Sequence, residues 1–175
     1  DSTSIWVAET IGGEIRIMDY YEAHGKSLDH YIQWLDENNY REYNHILPHD
    51  VMVRELGTGK SRYEILSDAG LNIDIAPKSS VEDGIQAVRR MLPNCWFNES
   101  TTKHGLECLR NYRREFNEKL NTFMEKPKHD WSSHGADAFR YLALGLDTSS
   151  TSKRSNWGKP YESTYSGDSY KKQYM

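Results

Sequence analysis

The chain has 175 residues, of which 37% are hydrophobic and 12% aromatic, and its net charge is −4. This length suits one domain around a single core. No apolar run approaches the roughly 20 residues that a membrane-spanning helix requires. The first residues, Asp-Ser-Thr-Ser, lack the basic start and apolar centre of a signal peptide. We therefore expect a protein that neither crosses a membrane nor is secreted.

The charge is distributed unevenly along the chain. From residue 148 onward there are five Lys or Arg and two acids, giving +3, so the first 147 residues carry −7. An acidic body argues against simple electrostatic binding of nucleic acid. It remains compatible with DNA if its acids hold metal ions, because bound cations reverse the local sign.

The first half predicts an antiparallel hairpin, a helix and a buried strand. Residues 5–9 and 14–21 read as strands joined by a turn at Gly12-Gly13. Ser27 is a plausible N-cap for a helix to about residue 37. Residues 46–47 form a short apolar strand that ends before Asp50.

The second half alternates helices with one strand. The predicted helices are a weak one over residues 61–69, one opened by Ser80 with Asp83 and ended by Pro93, a long one over 102–123, and a last one over 133–146. A strand is predicted over residues 71–76. Together the elements indicate an α/β fold, with a mixed sheet flanked by helices.

The chain changes character at residue 148. Ser, Thr, Tyr, Lys and Gly dominate the remainder and periodicity is lost. The prediction is one domain over residues 1–147, followed by a disordered tail over 148–175.

Cysteine and histidine usage is sparse. Cys95 and Cys108 each lie in an apolar setting, which favours two buried thiols, although a disulfide is the open alternative. The histidines show no paired spacing with cysteine, so the sequence predicts no zinc site; those considered are His24, His30, His45, His104 and His129.

The last predicted helix carries the first candidate for chemistry. Its core stripe leaves His134, Asp137 and Tyr141 on a different face, and His134 and Asp137 are i, i+3 neighbours. Asp137 would be an ionised carboxylate available to a cation. The competing interpretation is an ordinary solvated polar face.

Asp50 is the second candidate. It follows a buried strand, and open α/β sheets bind ligands beyond the carboxyl ends of their strands. Mg²⁺ prefers oxygen ligands and binds through one or two carboxylates together with phosphate oxygens. The competing interpretation is a turn aspartate that terminates the strand.

A glycine-containing loop supplies three candidate DNA contacts. Arg54, Lys60 and Arg62 flank Gly57 and Gly59 and suit phosphate-backbone binding. A solvated loop is the equally open alternative.

Several strings, in this order and spacing, resemble the nuclease domain of tailed-phage large terminases. The resemblance covers about residues 1–146, and its most specific part is the last string. The strings are Leu47-Pro-His-Asp50, Gly57-Thr-Gly-Lys-Ser-Arg62, Val81-Glu-Asp-Gly-Ile-Gln-Ala-Val-Arg89 and His129-Asp-Trp-Ser-Ser-His-Gly-Ala-Asp-Ala-Phe-Arg-Tyr141.

The resemblance implies a ribonuclease H-like fold and a metal-dependent endonuclease. In that family, acidic residues bind two Mg²⁺ or Mn²⁺ ions and concatemeric double-stranded phage DNA is cut without strong sequence preference. Asp50 would be the second metal carboxylate, Asp137 the last, and His134 would lie beside the metals. An upstream ATPase domain, the portal protein, the procapsid and the small terminase are the implied partners, in the cytoplasm of the host cell.

This sequence departs from the family at its start. The family's first catalytic aspartate lies on a strand that should precede Asp1, and Asp1 itself aligns better with a later loop acid. We therefore expect an N-terminally incomplete domain, without the first strand and without the ATPase domain.

Two alternatives remain open. One is a different ribonuclease H-like nuclease, such as a resolvase, which would prefer branched DNA. The other is a non-catalytic piece that docks on the portal or procapsid through the tyrosine- and lysine-rich tail.

Overall fold

The computed structural model describes residues 2–57 and 59–155, with side chains to residue 147. It contains seven strands and five α-helices within these residues. In chain order they are β1 Ser2–Ile11, β2 Glu14–His24, α1 Leu28–Glu37, β3 Asn44–Leu47, α2 Arg62–Asp68, β4 Asn72–Ile75, α3 Val81–Met91, β5 Cys95–Phe97, α4 Glu99–Asn111, β6 Arg114–Asn117, β7 Thr122–Pro127 and α5 Ser133–Ser155. The predicted α/β class is confirmed.

The N-terminal hairpin forms the larger sheet. β1 and β2 pair antiparallel from Ser2 opposite His24 to Ile11 opposite Glu14, with a bulge at Val7. The turn at Gly12 and Gly13 has positive φ at both residues, a conformation that glycine adopts without steric cost. β5 adds to β2 in parallel, which gives the order β1-β2-β5.

β3 and β4 form a second, parallel pair, and β6 and β7 form a separate antiparallel hairpin. Within the described residues the sheet is therefore divided, because no strand hydrogen bonds to both β1 and β3. That the complete fold has a further strand before Asp1 stays a prediction.

Helix α5 connects the two strand groups. Near its start, the Trp6 indole of β1 donates a hydrogen bond of 2.8 Å to the carbonyl of Gly135. Ten residues further along, Gly145 packs against Ile46 of β3 so closely that an added Cβ would lie 2.7 Å from that side chain. The helix thus lies across both sheets.

The main core forms where α3 and α5 pack on β2. Ile17 and Phe139 are 1% and 0% exposed and contact Ala87, Met91 and Ala143. The predicted apolar stripe of the last helix is confirmed. Replacing Phe139 with alanine would cost about 3–5 kcal/mol, because the ring is fully enclosed.

The predicted helix over residues 102–123 was wrong in its second half. α4 ends at Asn111, and β6 and β7 follow as a hairpin. Asn117 Oδ1 accepts hydrogen bonds from the backbone of Lys119 and Leu120, and Asn121 adopts φ 51°. These asparagine turns replace the helix, and β5 was not predicted at all.

The predicted domain boundary at residue 148 falls inside a helix, because α5 continues to Ser155. The rest of the predicted tail, 156–175, with the tyrosines and lysines of the docking alternative, lies outside the described residues. Both cysteines are free thiols, as the sequence favoured. Among the described residues, no helix is both long enough and apolar enough to cross a membrane.

We expect Gly105→Ala to lower the free energy of unfolding. A Cβ there would lie 2.3 Å from the Trp6 ring and 2.7 Å from Tyr20. Overpacking of this kind costs about 1–3 kcal/mol, which exceeds the gain of about 1 kcal/mol that alanine brings within a helix. Urea denaturation measures the difference.

Gly57→Ala is the matched control for that substitution. Gly57 has nothing within 4 Å of the added methyl group, so a change of less than about 0.5 kcal/mol is expected. Equal stability of the Gly105→Ala protein and the wild type would contradict the packing argument.

Candidate functional site

The start of α5 is held by Asp130. Its Oδ1 accepts hydrogen bonds from the backbone N–H and the hydroxyl of Ser132, at 3.0 and 2.6 Å. Its carbonyl accepts from the backbone and side chain of Ser133. The Ser132 donors hold the pKa of Asp130 below its usual value, since they stabilise the ionised carboxylate.

Asp137, the first predicted ligand, is tied to a buried arginine. Arg140 Nη2 and Nε donate to Asp137 Oδ1 at 2.9 and 3.2 Å, and the Tyr112 hydroxyl donates to the same oxygen at 3.3 Å. The side chain of Arg140 is 8% exposed and that of Asp137 is 38% exposed. Because all three bonds end on Oδ1, Oδ2 is the oxygen that could face a cation.

Asp50 lies in a short 3₁₀ helix, His49–Met52, directly after β3. Its side chain is exposed and borders a shallow depression with Val53, Glu55 and Arg62. Asp50 thus follows the carboxyl end of the β3 strand, as predicted. The strand itself is only half-buried rather than fully buried.

Tyr141 shows that Asp50 and Asp137 share one neighbourhood. Burial raises the pKa of its hydroxyl, and the nearby Arg140 guanidinium opposes that effect. The carboxylates of Asp50 and Asp137 both raise the pKa further through their negative charge. Both carboxylates therefore lie within electrostatic range of the Tyr141 hydroxyl, although the two residues are 87 positions apart.

His134 is half-buried, and its ring centroid lies 5.4 Å from that of His129. The i, i+3 partner of Asp137 in this structure is Arg140 rather than His134. Arg140 was not singled out from the sequence, because an arginine on the core side of a helix carries no spacing signal of its own.

The three predicted DNA-binding cations each have an acidic partner. Lys60 Nζ lies 2.8 Å from Asp68, Arg62 Nε lies 3.0 Å from Glu55, and Arg54 Nη2 lies 3.6 Å from Glu64. All six side chains are substantially exposed. The loop is therefore locally neutral, and exposed pairs of this kind are weak enough to exchange partners.

A different group brings three potential metal-donor atoms close together. Among the described residues, Glu22, His104 and Cys108 each offer a potential donor atom, and these atoms all lie within 4.8 Å of one another. Asp50, Asp137 and His134 do not form such a group. The sequence interpretation overlooked that His104 and Cys108 stand four residues apart on α4, where their side chains share one face.

The sequence matches no protein-family model and no curated protein sequence at a significant level. The fold does match a solved structure, the nuclease domain of the large terminase from bacteriophage SPP1, crystallised with bound Mn. The match has a TM-score of 0.55 and 19% sequence identity, and it covers 83% of this chain and 78% of that one.

The described chain therefore has the fold of a terminase nuclease domain, a mixed α/β arrangement of the ribonuclease H-like type. This confirms the fold that the sequence motifs implied. The roles of Asp50, Asp137, His134 and the three basic residues stay predictions.

We expect Asp130→Asn to change how the free energy of unfolding depends on pH in the acidic range. The pKa of Asp130 is lower in the folded protein than its ordinary value of 3.8, so its ionised carboxylate stabilises the fold above pH 3.8. This stabilisation is lost as the pH falls through the pKa of the folded protein. The stability difference between wild type and variant should therefore shrink at pH values below about 3.8. Unfolding free energies measured between neutral pH and pH 2 test this.

Ser132→Ala is the companion variant, because it removes one of the donors that stabilise the carboxylate. It should reproduce part of the same pH-dependent change. A wild-type-to-variant difference that is constant with pH for both substitutions would contradict the assigned role of Asp130.

Proposed function

We propose that this chain is the nuclease domain of a phage DNA-packaging motor, and that it cuts concatemeric double-stranded DNA by metal-dependent phosphodiester hydrolysis. The observation that carries the proposal is the terminase nuclease fold of the chain, in which Asp50 follows β3 and Asp137 lies on α5. The matched SPP1 domain binds Mn, which is consistent with carboxylate ligands.

The donor set fits a hard divalent cation. Asp50 is an exposed carboxylate, and Asp137 presents Oδ2 while Arg140 and Tyr112 hold Oδ1. Two Mg²⁺ or Mn²⁺ ions, when bound, would supply an activated water and charge stabilisation at the leaving 3′ oxygen. Several ligands are needed to fix both ions, so a further carboxylate is part of the proposed ligand set.

The chain's own residues would position these components. Arg140 and Tyr112 fix the rotamer of Asp137, so that Oδ2 is preoriented. His134, one turn before Asp137 on α5, would orient the attacking water or adjust the carboxylate. Arg54, Lys60 and Arg62 would contact the phosphate backbone after exchanging their acidic partners for phosphates.

The wider biological setting is part of the same proposal. The domain would act beside an ATPase domain, with the portal protein, the procapsid and the small terminase as partners, in the cytoplasm of the infected host. A resolvase-like nuclease would share the site but would prefer branched DNA, so the substrate separates the two.

Cleavage of supercoiled plasmid with Mn²⁺ tests the proposal. The wild-type chain should cut the plasmid, and the Asp50→Asn, Asp137→Asn variant should be inactive because it cannot hold the ions. His134→Ala should retain activity reduced by roughly 10- to 100-fold, as expected for a group that acts through others.

Asp29→Asn is the matched control, because Asp29 is an exposed carboxylate on α1. It should cut at the wild-type rate. Undiminished cleavage by the Asp50→Asn, Asp137→Asn variant would refute the site, and preference for a four-way junction would favour the resolvase.

If the loop that carries Arg54, Lys60 and Arg62 contacts DNA, the salt dependence of the DNA affinity should report it. Replacing Lys60 or Arg62 with glutamine should reduce the slope of log affinity against log salt by about 1 per lost phosphate contact. Asp68→Asn should strengthen binding, because it removes the competing partner of Lys60. Fluorescence anisotropy across a salt series measures both effects, and identical slopes would exclude the loop from the interface.

A further inference from the structure

Three potential ligand side chains, none of them a carboxylate of the proposed nuclease site, meet between β2 and α4. Glu22 comes from β2, whereas His104 and Cys108 come from successive turns of α4. Their donor atoms lie within 4.8 Å of one another, and His104 Nε2 is 3.6 Å from Glu22 Oε2. Ligands of a tetrahedral zinc ion stand roughly 3.3–3.8 Å apart, given bonds of about 2.0–2.3 Å. Small side-chain adjustments would therefore close the group around an ion.

The donor types differ from those expected at a magnesium site. One thiol, one imidazole and one carboxylate form a mixed set that suits zinc, because thiolate and imidazole favour softer cations. Mg²⁺ and Mn²⁺ prefer all-oxygen surroundings. The three donors therefore suit a softer cation such as zinc, and not the Mg²⁺ or Mn²⁺ of the proposed nuclease site.

Each side chain is held in place by its neighbours. The Tyr20 hydroxyl donates a short hydrogen bond to Glu22 Oε2 and lies 3.8 Å from Cys108 Sγ. The His104 ring stacks on Trp131 at 6.0 Å and packs beside Tyr20 at 5.9 Å. Surrounding contacts of this kind orient ligands and strengthen metal binding.

The hydroxyl of Ser4 is a further buried polar group in this part of the sheet. Ser4 stands directly opposite Glu22 in the β1–β2 register, and its hydroxyl is buried. It makes no hydrogen bond among the described residues. Buried polar atoms without partners are uncommon, since each costs about 1–3 kcal/mol. Ser4 therefore presents an unsatisfied polar atom on the same face of the sheet as Glu22.

We propose that Glu22, His104 and Cys108 form a zinc site that joins β2 to α4, with a water molecule as the fourth ligand. Cys108 lies at the fully buried floor of the site, whereas the His104 side chain is 60% exposed at its mouth. The open position therefore faces solvent, and the ion can enter without unfolding of the chain.

Cobalt substitution provides the test, because thiolate-bound Co²⁺ has a near-ultraviolet charge-transfer band that oxygen ligands do not produce. The metal-free full chain should bind one Co²⁺ with this band, and Zn²⁺ should displace it. Cys108→Ser should abolish the band, and His104→Ala should weaken Co²⁺ binding at least tenfold. Zn²⁺ should also raise the melting temperature of the wild type but not of His104→Ala.

Cys95→Ser is the matched control, because Cys95 is the other free thiol and lies on β5, outside the group. It should keep the full band. Because His104 is exposed, His104→Ala is the variant that is expected to fold even if Cys108→Ser does not, and circular dichroism checks both.

Three results would overturn the proposal: no Co²⁺ bound at micromolar concentration, a band that survives in Cys108→Ser, or wild-type affinity in His104→Ala. The Asp50→Asn, Asp137→Asn protein should keep the band, because its altered residues are not ligands here. The zinc site and the nuclease site can therefore fail independently of each other.

Discussion

The contact between the start of α5 and the N-terminal sheet governs the remainder of this structure. The Trp6 indole reaches the Gly135 carbonyl because residue 105 has no side chain, since a Cβ there would lie 2.3 Å from the Trp6 ring. That contact fixes the direction in which α5 leaves the sheet, and thereby where Asp137 and Tyr141 lie. Every proposed role of the helix therefore depends on the Trp6 ring, which packs on Gly105 and hydrogen bonds to the Gly135 carbonyl.

The Asp137–Arg140 ion pair neutralises a nearly enclosed arginine, and its carboxylate is also a proposed metal ligand. Arg140 is nearly enclosed, so its charge requires a partner, and Asp137 supplies one from the adjacent turn. The same carboxylate is half-open to solvent. An ion bound at Oδ2 would therefore share the carboxylate with a guanidinium, and the two cations would repel each other across it. Binding of an ion at Asp137 is therefore more favourable where further carboxylates offset the positive charge of Arg140.

Patterns with a local physical cause could be read from the sequence. The Gly12-Gly13 turn, the Ser80 cap and the apolar face of α5 all depend on neighbours within a few residues. Motif spacing also led to the correct fold. The hairpin after α4 was missed because Phe116 and Phe123 mimic a helical stripe, although their rings pair across two strands at 5.1 Å.

The site was harder to foresee because its parts come from distant segments. Asp50 and Asp137 could be nominated one at a time, but their common neighbour Tyr141 appeared only in three dimensions. Glu22 lies 82 positions before His104 and carries no motif. The ion pairs that neutralise the basic loop likewise depend on side-chain placement, which composition does not encode.

The β6–β7 hairpin is largely exposed, and this exposure affects how readily the hairpin opens. Nearly all of its side chains are exposed, and its aromatic pair packs mainly on itself. The Arg114–Glu82 ion pair attaches it to α3, and the Lys128 N–H bond to the Arg113 carbonyl closes its base. Such a unit can open without disturbing the sheet. Its amide protons would then exchange with solvent through local fraying, while those of β2 and α5 exchange only when the whole domain unfolds.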